Sequence, residues 1–425
     1  MYSEYVNPIY KSIERCRICS RNGSTTEQGT LENIIDFGEM ALTGVFLEDG
    51  GEVAKAPMQL CRCVDCGLVQ LKHSYALDSL YGEWYGYESH LNPSMVKHIQ
   101  SKAKILEELW ARNSDDVYVD IASNDGTLLG GYTNTTAKII GIDPLIDVVS
   151  DHYPEHATKI IDFFSADSYW KATSKPAQII SSLSVLYDLE SPIDFAIQIS
   201  EILDFGGVWH FEQSYLPSMV ATNSYDTVCH EHLLYLSLHD IIRILDSANL
   251  QLIDVTLNDI NGGSIAVTAI KSRELIPQPP FAKYLLEKEI TEGYISGSKM
   301  HDFAFAVRSH SEELKNLISN LQAHGYKIVG LGASTKGNVL LQNLKLSNVD
   351  VACIGDINPR KFGRQTPGTS IPIVDEATII AESTSRTVAL VLPWHFRTGM
   401  INKAGGILSS GGKLLFPLPR IEMYG

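Results

Sequence analysis

The chain has 425 residues, a formal net charge of −16, 44% hydrophobic residues and 20% charged residues. Such a composition is ordinary for a globular protein and leaves room for two to four domains with their own cores. The acidic balance argues against binding to a nucleic-acid backbone, so we expect no nucleic-acid partner. No apolar signal segment and no bilayer-length apolar run are found, which predicts a cytoplasmic protein without a membrane partner.

Cysteines are concentrated near the N-terminus, where five of the seven fall within the first 66 residues. They include two Cys-x-x-Cys pairs, and Gly67 follows the second pair. Two such pairs are a strong zinc signal, and four thiolates fill a tetrahedral shell, which predicts a closed, structural site. We therefore expect a zinc-binding module over about residues 1–75, with short strands at 31–37 and 58–63. Its ligands are Cys16, Cys19, Cys63 and Cys66.

A tyrosine-rich stretch follows, with Tyr81, Tyr85 and Tyr87 within seven positions. These rings could pack against one another, or their hydroxyls could bind a polar ligand in a cleft, and composition alone favours neither. Residues 95–112 then show the spacing of apolar positions that is typical of an amphipathic helix.

The next segment predicts half of a nucleotide-binding sheet. A buried strand at 117–121 ends in the turn ASNDG, and a second strand at 137–142 ends in Asp143-Pro144. The turn lacks the G-x-G-x-x-G pattern of dinucleotide sites, whereas an acid after the second strand suits a pair of ribose hydroxyls. S-adenosylmethionine, which has no pyrophosphate, is the ligand that fits this pattern. Further strands are expected at 178–183, 207–212 and 264–270.

Residues 225–235, YDTVCHEHLLY, hold the densest group of titratable side chains. His230 and His232 are two apart, which places them on opposite sides of a helix and does not match a helical zinc motif. An imidazole held by a carboxylate, such as Glu231, would be a base tuned near neutral pH. The alternative is a polar turn before a helix at 238–249.

A proline-rich segment at 277–280 predicts a domain boundary, after which helices are expected at 281–292 and 302–324. A strand at 327–332 runs into the turn GASTKGN. This turn lacks the Gly-Lys-Ser/Thr ending of the phosphate-binding loop of nucleoside triphosphatases. Its main-chain N–H groups nevertheless favour an anion. Further strands are expected at 351–356 and 388–392. The residues after these strands could contact a substrate, because ligands bind at the strand ends of such sheets. The alternative is a degenerate Rossmann domain that binds nothing and only supports the substrate cleft.

Seven segments resemble, in order, the motifs of the sugar C-methyltransferases that act on nucleotide-linked keto-hexoses in deoxy-sugar biosynthesis. They are DIASNDGTLL, SVLYDLESP, GVWHFEQSYLP, YDTVCHEHLLY, NDINGGS, GASTKGN and LPWHFR. The resemblance implies an α/β fold with a zinc-binding module at 1–75, a Rossmann-like methyltransferase core at 76–280 and a second Rossmann-like domain at 281–425. We expect a monomer.

The resemblance also implies roles for individual residues. His232 is expected to be the general base, with Glu231 as its neighbour. Cys229 stands where some members carry tyrosine, so Tyr81 or Tyr85 would supply a phenol instead. The expected cofactor residues are Asp120, Ala122, Ser123, Asn124, Asp125, Gly126, Asp143, Pro144, Phe163 and Leu183. The expected substrate residues are Tyr87, Asn92, Asn261, Ser334, Lys336, Asn338, Arg360, Trp394, His395 and Arg397.

The chemistry implied by the resemblance begins with His232, which would take the proton from carbon 3 of a 4-keto sugar. The enolate carbon would then accept the methyl group of S-adenosylmethionine, and Glu231 would raise the basicity of the imidazole. Two alternatives are a nicotinamide-dependent oxidoreductase that uses the turn at 330–337, and a non-catalytic binding protein with a methyltransferase-like fold.

Overall fold

The computed structural model describes residues 9–20, 29–47, 51–80, 88–149 and 152–425. They form a two-stranded, a four-stranded, a six-stranded and a seven-stranded sheet, with helices packed against the larger two. This confirms the expected α/β class, with a Rossmann-like core between a cysteine-bearing module and a second Rossmann-like sheet. Tyr81, Tyr85 and Tyr87 lie outside the described residues. Within the described ranges, no helix combines the length and apolarity needed to cross a membrane.

The N-terminal module is mainly antiparallel sheet. β2 and β3 pair along their length and β4 adds to β3, while β1 pairs with β5. Both β2 and β3 are longer than expected, because bulges let the pairing continue past two shifts of register. The elements are β1 (Tyr10–Ser12), β2 (Leu31–Ala41), β3 (Lys55–Cys63), β4 (Val69–Leu71), β5 (His73–Tyr75) and α1 (Leu77–Leu80).

The central sheet has seven strands in the order β12-β13-β10-β9-β6-β7-β8. Its parallel strands are covered on both faces, which explains why all five residues of β6, VYVDI, are buried. The elements are α2 (Pro93–Trp110), β6 (Val117–Ile121), β7 (Lys138–Ile142), β8 (Thr158–Ile160), α3 (Ala166–Ala172), β9 (Ala177–Leu183), α4 (Pro192–Ile202), β10 (Leu203–Ser214), α5 (Leu216–Ala221), β11 (Leu234–Tyr235), α6 (Leu238–Ser247), β12 (Gln251–Asn258), β13 (Ser264–Ile270) and α7 (Pro280–Thr291).

The C-terminal sheet has six strands in the order β16-β15-β14-β17-β18-β19, all parallel except β19. The expected strand at 351–356 begins only at Ile354, because the main-chain N–H of Val351 closes a turn onto Ser347. The elements are α8 (Ser298–Ala323), β14 (Lys327–Leu331), α9 (Thr335–Asn343), β15 (Ile354–Asp356), β16 (Ile373–Asp375), α10 (Glu376–Glu382), β17 (Thr387–Val391), α11 (Arg397–Lys403), α12 (Gly405–Ser409), β18 (Lys413–Phe416) and β19 (Glu422–Tyr424).

The short strand β11 belongs to the sheet of the N-terminal module, although its sequence lies in the central region. It pairs antiparallel with β4, and the N–H of Leu71 donates to the carbonyl of Leu233 at 2.9 Å. The histidine-rich segment immediately before β11 is therefore held between the zinc-binding module and the central sheet.

Candidate active site

The four paired cysteines of the N-terminal module come together in space. Their sulfur atoms all lie within 4.8 Å of one another. The Sγ atoms of Cys16 and Cys66 are 3.6 Å apart, and those of Cys63 and Cys19 are 4.0 Å apart. A tetrahedral zinc ion bound at about 2.3 Å by four thiolates needs sulfur–sulfur edges of about 3.8 Å. The four thiols therefore fit one zinc ion.

A basic side chain of the central region reaches this cysteine cluster. Arg243 lies on α6, and its Nη2 is 3.7 Å from the Sγ of Cys19. Four thiolates around Zn²⁺ leave two negative charges, and a guanidinium beside them offsets one. Because α6 follows directly after β11, Arg243 joins the metal site to the segment that carries the histidines.

The turn after β6 has left-handed backbone at Ala122 (φ 56°), Asn124 (φ 48°) and Gly126 (φ 84°). A Cβ atom on Gly126 would lie 2.4 Å from the side chain of Tyr153. The Oγ of Ser123 and the hydroxyl of Tyr153 are 2.5 Å apart. This close packing leaves space only for glycine at position 126. The sequence did not indicate that Tyr153 packs against this turn.

Asp143 lies at the end of β7, beside this turn. Its Oδ2 accepts the N–H of Asn124 at 3.0 Å, and its Oδ1 accepts the N–H of Leu145 at 2.7 Å. A carboxylate has about four lone-pair positions, so each oxygen keeps one for a ligand hydroxyl. Burial raises the pKa of the carboxyl. A fixed acceptor next to a short turn suits the ribose of S-adenosylmethionine.

Two other acids of the motif have partners within the protein. Asp120 is buried, its Oδ1 accepts from the hydroxyl of Ser181 at 2.6 Å, and burial raises its pKa to about 7. Asp125 accepts bonds from Thr127 through Oδ1. Asp120 therefore joins β6 to β9, and Asp125 holds the end of the turn.

Residues 88–91 contact the turn after β6, residues 122–126, which we call the cofactor turn because it is the expected cofactor site. The main-chain N–H and the ring Nδ1 of His90 are each 2.9 Å from Oδ2 of Asp125. On the side of the C-terminal domain, Oε1 of Glu88 is 3.1 Å from Nη1 of Arg360. Arg360 therefore connects the C-terminal domain to the segment over the cofactor turn.

The first two side chains of the HEH motif point toward the N-terminal module. Nε2 of His230 is 3.5 Å from the carbonyl of Ala56, and its ring meets that of Tyr75 edge-on at 4.8 Å. Burial lowers the pKa of His230 to about 4. Oε2 of Glu231 accepts from the hydroxyl of Thr43 at 3.2 Å, and burial raises the pKa of this carboxyl.

His232, the third residue of the motif, has a main-chain carbonyl as its partner and not the expected Glu231. Its Nδ1 is 2.8 Å from the carbonyl oxygen of Thr227, which can only accept. In the neutral ring the proton therefore sits on Nδ1, and Nε2 carries a lone pair. The ring packs on Tyr187 at 4.3 Å between centroids. Burial, and then the charge of Lys336, lower the pKa of His232 to about 3.

Cys229, just before this motif, is a fully buried thiol. Burial, and then the charge of Glu231, raise its pKa well above the ordinary range. The thiol is therefore neutral near pH 7 and unsuited to act as a nucleophile.

A polar cluster forms where the C-terminal domain meets the central region. Nζ of Lys336 donates to the carbonyl oxygen of Asn261 at 2.7 Å. Nε1 of Trp394 donates to Oδ2 of Asp226 at 2.8 Å. Burial, and then the charge of Lys336, lower the pKa of His395 well below the ordinary range. Asp226, a residue of the histidine-rich segment, thus interacts with two of the expected substrate residues, Trp394 and Lys336.

Several expected substrate residues have structural partners instead. Asn92 and Ser334 accept N–H groups in the first turns of α2 and α9, as helix caps do. Asn338 is fully buried, and its Nδ2 donates to the carbonyl of Thr43 at 2.7 Å, so it joins two domains and does not face a cleft. Nη2 of Arg397 is 2.5 Å from Oε1 of Glu422, which draws it toward β19.

The remaining expected cofactor residues lie at or after the ends of β7, β8 and β9 and differ in exposure. Leu183 ends β9 and is half-buried, as is Pro144 after β7. Phe163, after β8, has 48% of its surface exposed. An exposed ring is free to contact a ligand, yet the structure gives it no partner there among the described residues.

Sequence reasoning missed a buried charged cluster at the end of β10. Oε1 of Glu212 is 2.6 Å from Nε2 of His98, and Oε2 is 2.9 Å from both Nζ of Lys102 and Nδ2 of Asn258. Burial alone would raise the pKa of Glu212, but the bond from His98 and the charge of Lys102 outweigh it and lower the pKa to about 2. The helical spacing of His98 and Lys102 is the only signal that could have indicated this anchor of α2.

Comparisons with known proteins match almost the whole chain. Three family models match in order: a zinc binding domain over residues 16–81, a methyltransferase domain over 95–255, and a C-methyltransferase C-terminal domain over 259–419. The C-methyltransferase NovU of Streptomyces niveus is 24% identical over 416 residues, which is 97% of each chain.

Among solved structures, the N-methyltransferase NodS of Bradyrhizobium japonicum WM9 is 11% identical, with a TM-score of 0.33, over 43% of this chain and 99% of that chain. The magnesium protoporphyrin IX methyltransferase ChlM of Synechocystis PCC 6803 is 12% identical, with a TM-score of 0.30, over 42% of this chain and 79% of that chain. The three ordered family matches and the full-length relative support an S-adenosylmethionine-dependent C-methyltransferase that carries an N-terminal zinc-binding domain.

Proposed function

We propose that this C-methyltransferase transfers a methyl group to carbon 3 of a nucleotide-linked 4-keto-hexose, by way of an enolate, in the biosynthesis of a branched or deoxy sugar. The observation that carries the proposal is the 2.8 Å contact between Nδ1 of His232 and the carbonyl of Thr227. It leaves Nε2 of the neutral ring unprotonated, and an imidazole in this form can act as a general base.

A carbon-bound hydrogen is acidic enough for an imidazole only when the resulting carbanion is stabilised. A hydrogen on the carbon next to a ketone meets this condition. When it is removed, the electron pair of the C–H bond forms a carbon–carbon double bond, and the carbonyl oxygen takes the negative charge. His232 takes the proton onto Nε2, and its Nδ1–H keeps its bond to Thr227. Four thiolates fill the shell of a zinc ion, so we assign the metal a structural role. The proton acceptor is then a side chain, and we assign that role to His232.

Main-chain atoms of 122–126, in the turn after β6, and the carboxylate of Asp143 would hold the cofactor. The two hydrogen bonds that fix Asp143 support this assignment, because they aim its remaining lone pairs. When bound, S-adenosylmethionine supplies the electrophilic methyl group and leaves as S-adenosylhomocysteine. We assign supporting roles to Asp120, which is bonded to Ser181, and to Asp125, which is bonded to Thr127 and His90.

The nucleotide-linked sugar lies between the central region and the C-terminal domain. Trp394, His395 and Asn261 belong to loops at this seam and are the residues we assign to it. The seam supports a domain boundary near residue 280, and we place the other boundary near residue 75. We propose a monomer in the cytoplasm as the active unit. Tyr81, Tyr85 and Tyr87 remain candidates for the phenol that binds the sugar.

The test is to incubate the protein with S-adenosylmethionine carrying a ¹³C-labelled methyl group and a panel of 4-keto-6-deoxyhexoses linked to thymidine, guanosine and cytidine diphosphate. The expected product carries the labelled methyl on carbon 3 of one panel member, located by carbon–proton correlation spectra. Label on an oxygen or on another carbon would exclude the proposed reaction. Binding of NADP without binding of S-adenosylmethionine would favour the oxidoreductase instead.

A further inference from the structure

Lys336 crosses the boundary between two domains. It lies in the first turn of α9, and its Nζ donates to the carbonyl of Asn261 at 2.7 Å. Asn261 has φ 55°, which turns this carbonyl out of a short loop of the central region. That loop packs on the C-terminal domain, since a Cβ atom on Gly262 would lie 3.1 Å from the ring of Trp394. The ammonium group is thereby fixed at the seam.

A buried acid accompanies the ammonium group. Asp226 is 2% exposed, and its Oδ2 accepts from Trp394 at 2.8 Å. Its Oδ1 is buried and has no hydrogen-bond partner in the described part of the chain. Asp226 directly precedes Thr227, whose carbonyl orients His232. The acid, the carbonyl and the base therefore belong to one segment that faces Lys336.

The charges of these groups act on one another. Burial lowers the pKa of Lys336, and Asp226 opposes this shift. In turn, the charge of Lys336 lowers the pKa of both His232 and His395 beyond the effect of burial. Among the described residues, Lys336 is therefore a cation whose charge acts on both rings.

An ammonium group has three donors, and Asn261 takes one of them. A desolvated cation held in place stabilises a developing negative charge more strongly than one in water, because nothing needs to reorganise. We propose that Lys336 donates a hydrogen bond to the carbonyl oxygen of the substrate while His232 removes the proton from the adjacent carbon. This role rests on the function proposed above and makes Lys336 a catalytic residue contributed by the C-terminal domain.

The electrons balance in this step. The C–H pair becomes the new carbon–carbon double bond, the carbonyl π pair moves to oxygen, and the proton goes to Nε2 of His232. Lys336 keeps its own protons and only donates. This differs from the anion that the turn GASTKGN predicts, because the acid Asp226 acts on Lys336 and disfavours the two negative charges of a diphosphate more than one partial charge on oxygen.

The experiment follows exchange of the substrate's carbon-3 proton with deuterium in D₂O, without S-adenosylmethionine, using the panel member that the wild-type protein methylates. Lys336→Met is expected to slow exchange at saturating substrate by about 10²- to 10³-fold, the usual effect of losing one such donor. Lys336→Arg, which keeps the charge, should recover part of the rate. The kinetic pKa of His232 should rise in Lys336→Met, because the positive charge that lowers it is removed, while the neighbouring ring of Tyr187 and carbonyl of Thr227 are neutral.

The matched control is Lys403→Met, which removes an ammonium paired with Glu376 in the same domain, away from the seam. It should leave the exchange rate within about twofold of the wild type. Exchange at the wild-type rate in Lys336→Met, or a tenfold weaker affinity for the nucleoside diphosphate with an unchanged saturated rate, would overturn the assignment. Absence of exchange in the wild-type protein with every panel member would instead contradict the proposed function, so the two failures are distinguishable. Unchanged S-adenosylmethionine binding verifies that each variant is folded.

Discussion

The Nδ1 atom of His232 bonds to the carbonyl oxygen of Thr227 at 2.8 Å, five residues earlier in the same segment. A carbonyl cannot donate, so this contact selects the tautomer whose Nε2 is free. A carboxylate at this position would also stabilise the protonated ring, whereas a neutral carbonyl mainly fixes the orientation. The carbonyl therefore positions the histidine as a proton acceptor, while burial and the charge of Lys336 lower its pKa to about 3.

Replacement of His232 by glutamine should remove the base and leave the cofactor turn intact. We expect the turnover number to fall by about two to four powers of ten, the usual contribution of a general base. Binding of S-adenosylmethionine, measured by calorimetry, should change by less than about threefold. His301→Gln, at an exposed histidine near Glu32, is the control and should behave like the wild type. Turnover retained in His232→Gln would exclude this residue as the base.

The titration of His232 should occur far below that of a free histidine. Its pKa is lowered to about 3 in the folded protein, against about 6.5 in an unfolded chain. The unfolded chain thus binds the proton first, and this residue's contribution to stability is lost as the pH falls from about 6.5 toward 3. Carbon-13 NMR of labelled histidines, with His232→Gln to assign the signal, should show a neutral ring at pH 5. A ring that titrates near pH 6.5 would contradict the burial and charge effects described.

Gly126→Ala should damage the cofactor turn. The new Cβ would meet Tyr153 at 2.4 Å, at a backbone φ of 84° that disfavours side chains. We expect the free energy of unfolding to fall by about 1–3 kcal/mol, and S-adenosylmethionine affinity to fall at least tenfold. Gly130→Ala is a matched control, because its Cβ would lie 3.7 Å from the nearest side chain. Urea unfolding and calorimetry measure both quantities, and equal effects in the two variants would refute the steric argument.

Arg243→Gln should weaken zinc binding without removing a ligand. Loss of a group that hydrogen-bonds a metal ligand typically lowers affinity about 10- to 100-fold. Competition with a chromophoric chelator measures this loss, and the absorption of the cobalt-substituted protein should still show four thiolates. Arg112→Gln, which loses bonds to Phe205 and Gly206 only, is the control. An unchanged zinc affinity in Arg243→Gln would mean that the contact with Cys19 is incidental.

Trp394→Phe should test the pairing between the two domains. It removes the N–H that Oδ2 of Asp226 accepts at 2.8 Å and leaves a buried carboxyl without that donor. A hydrogen bond to a charged group contributes about 1.5–3 kcal/mol, so a loss of this size in the free energy of unfolding is expected. Trp170→Phe, at a ring that is 40% exposed, should change stability by less than about 0.5 kcal/mol. A similar small change in Trp394→Phe would show that the bond is not made in solution.

Local patterns determined much about this protein. The Cys-x-x-Cys pairs indicated a metal site because each pair is built by one turn of chain. The segment VYVDIASNDG indicated a strand and a ligand turn because backbone conformation and burial there depend on adjacent residues. For the same reason β13 was predicted with its observed bounds, and α2, α6 and α7 to within two residues at each end.

The tertiary structure alone decided which groups face one another. Asn338 resembled a ligand residue in its glycine-containing turn, but the N-terminal module covers it and takes its amide. Glu231 adjoins His232 in sequence, yet their side chains point to different domains. Lys336 lies about a hundred residues from His232, and its charge acts on the imidazole only because two domains pack at one seam. Electrostatic and hydrogen-bond partners depend on distance in space, which the order of residues along a chain does not specify.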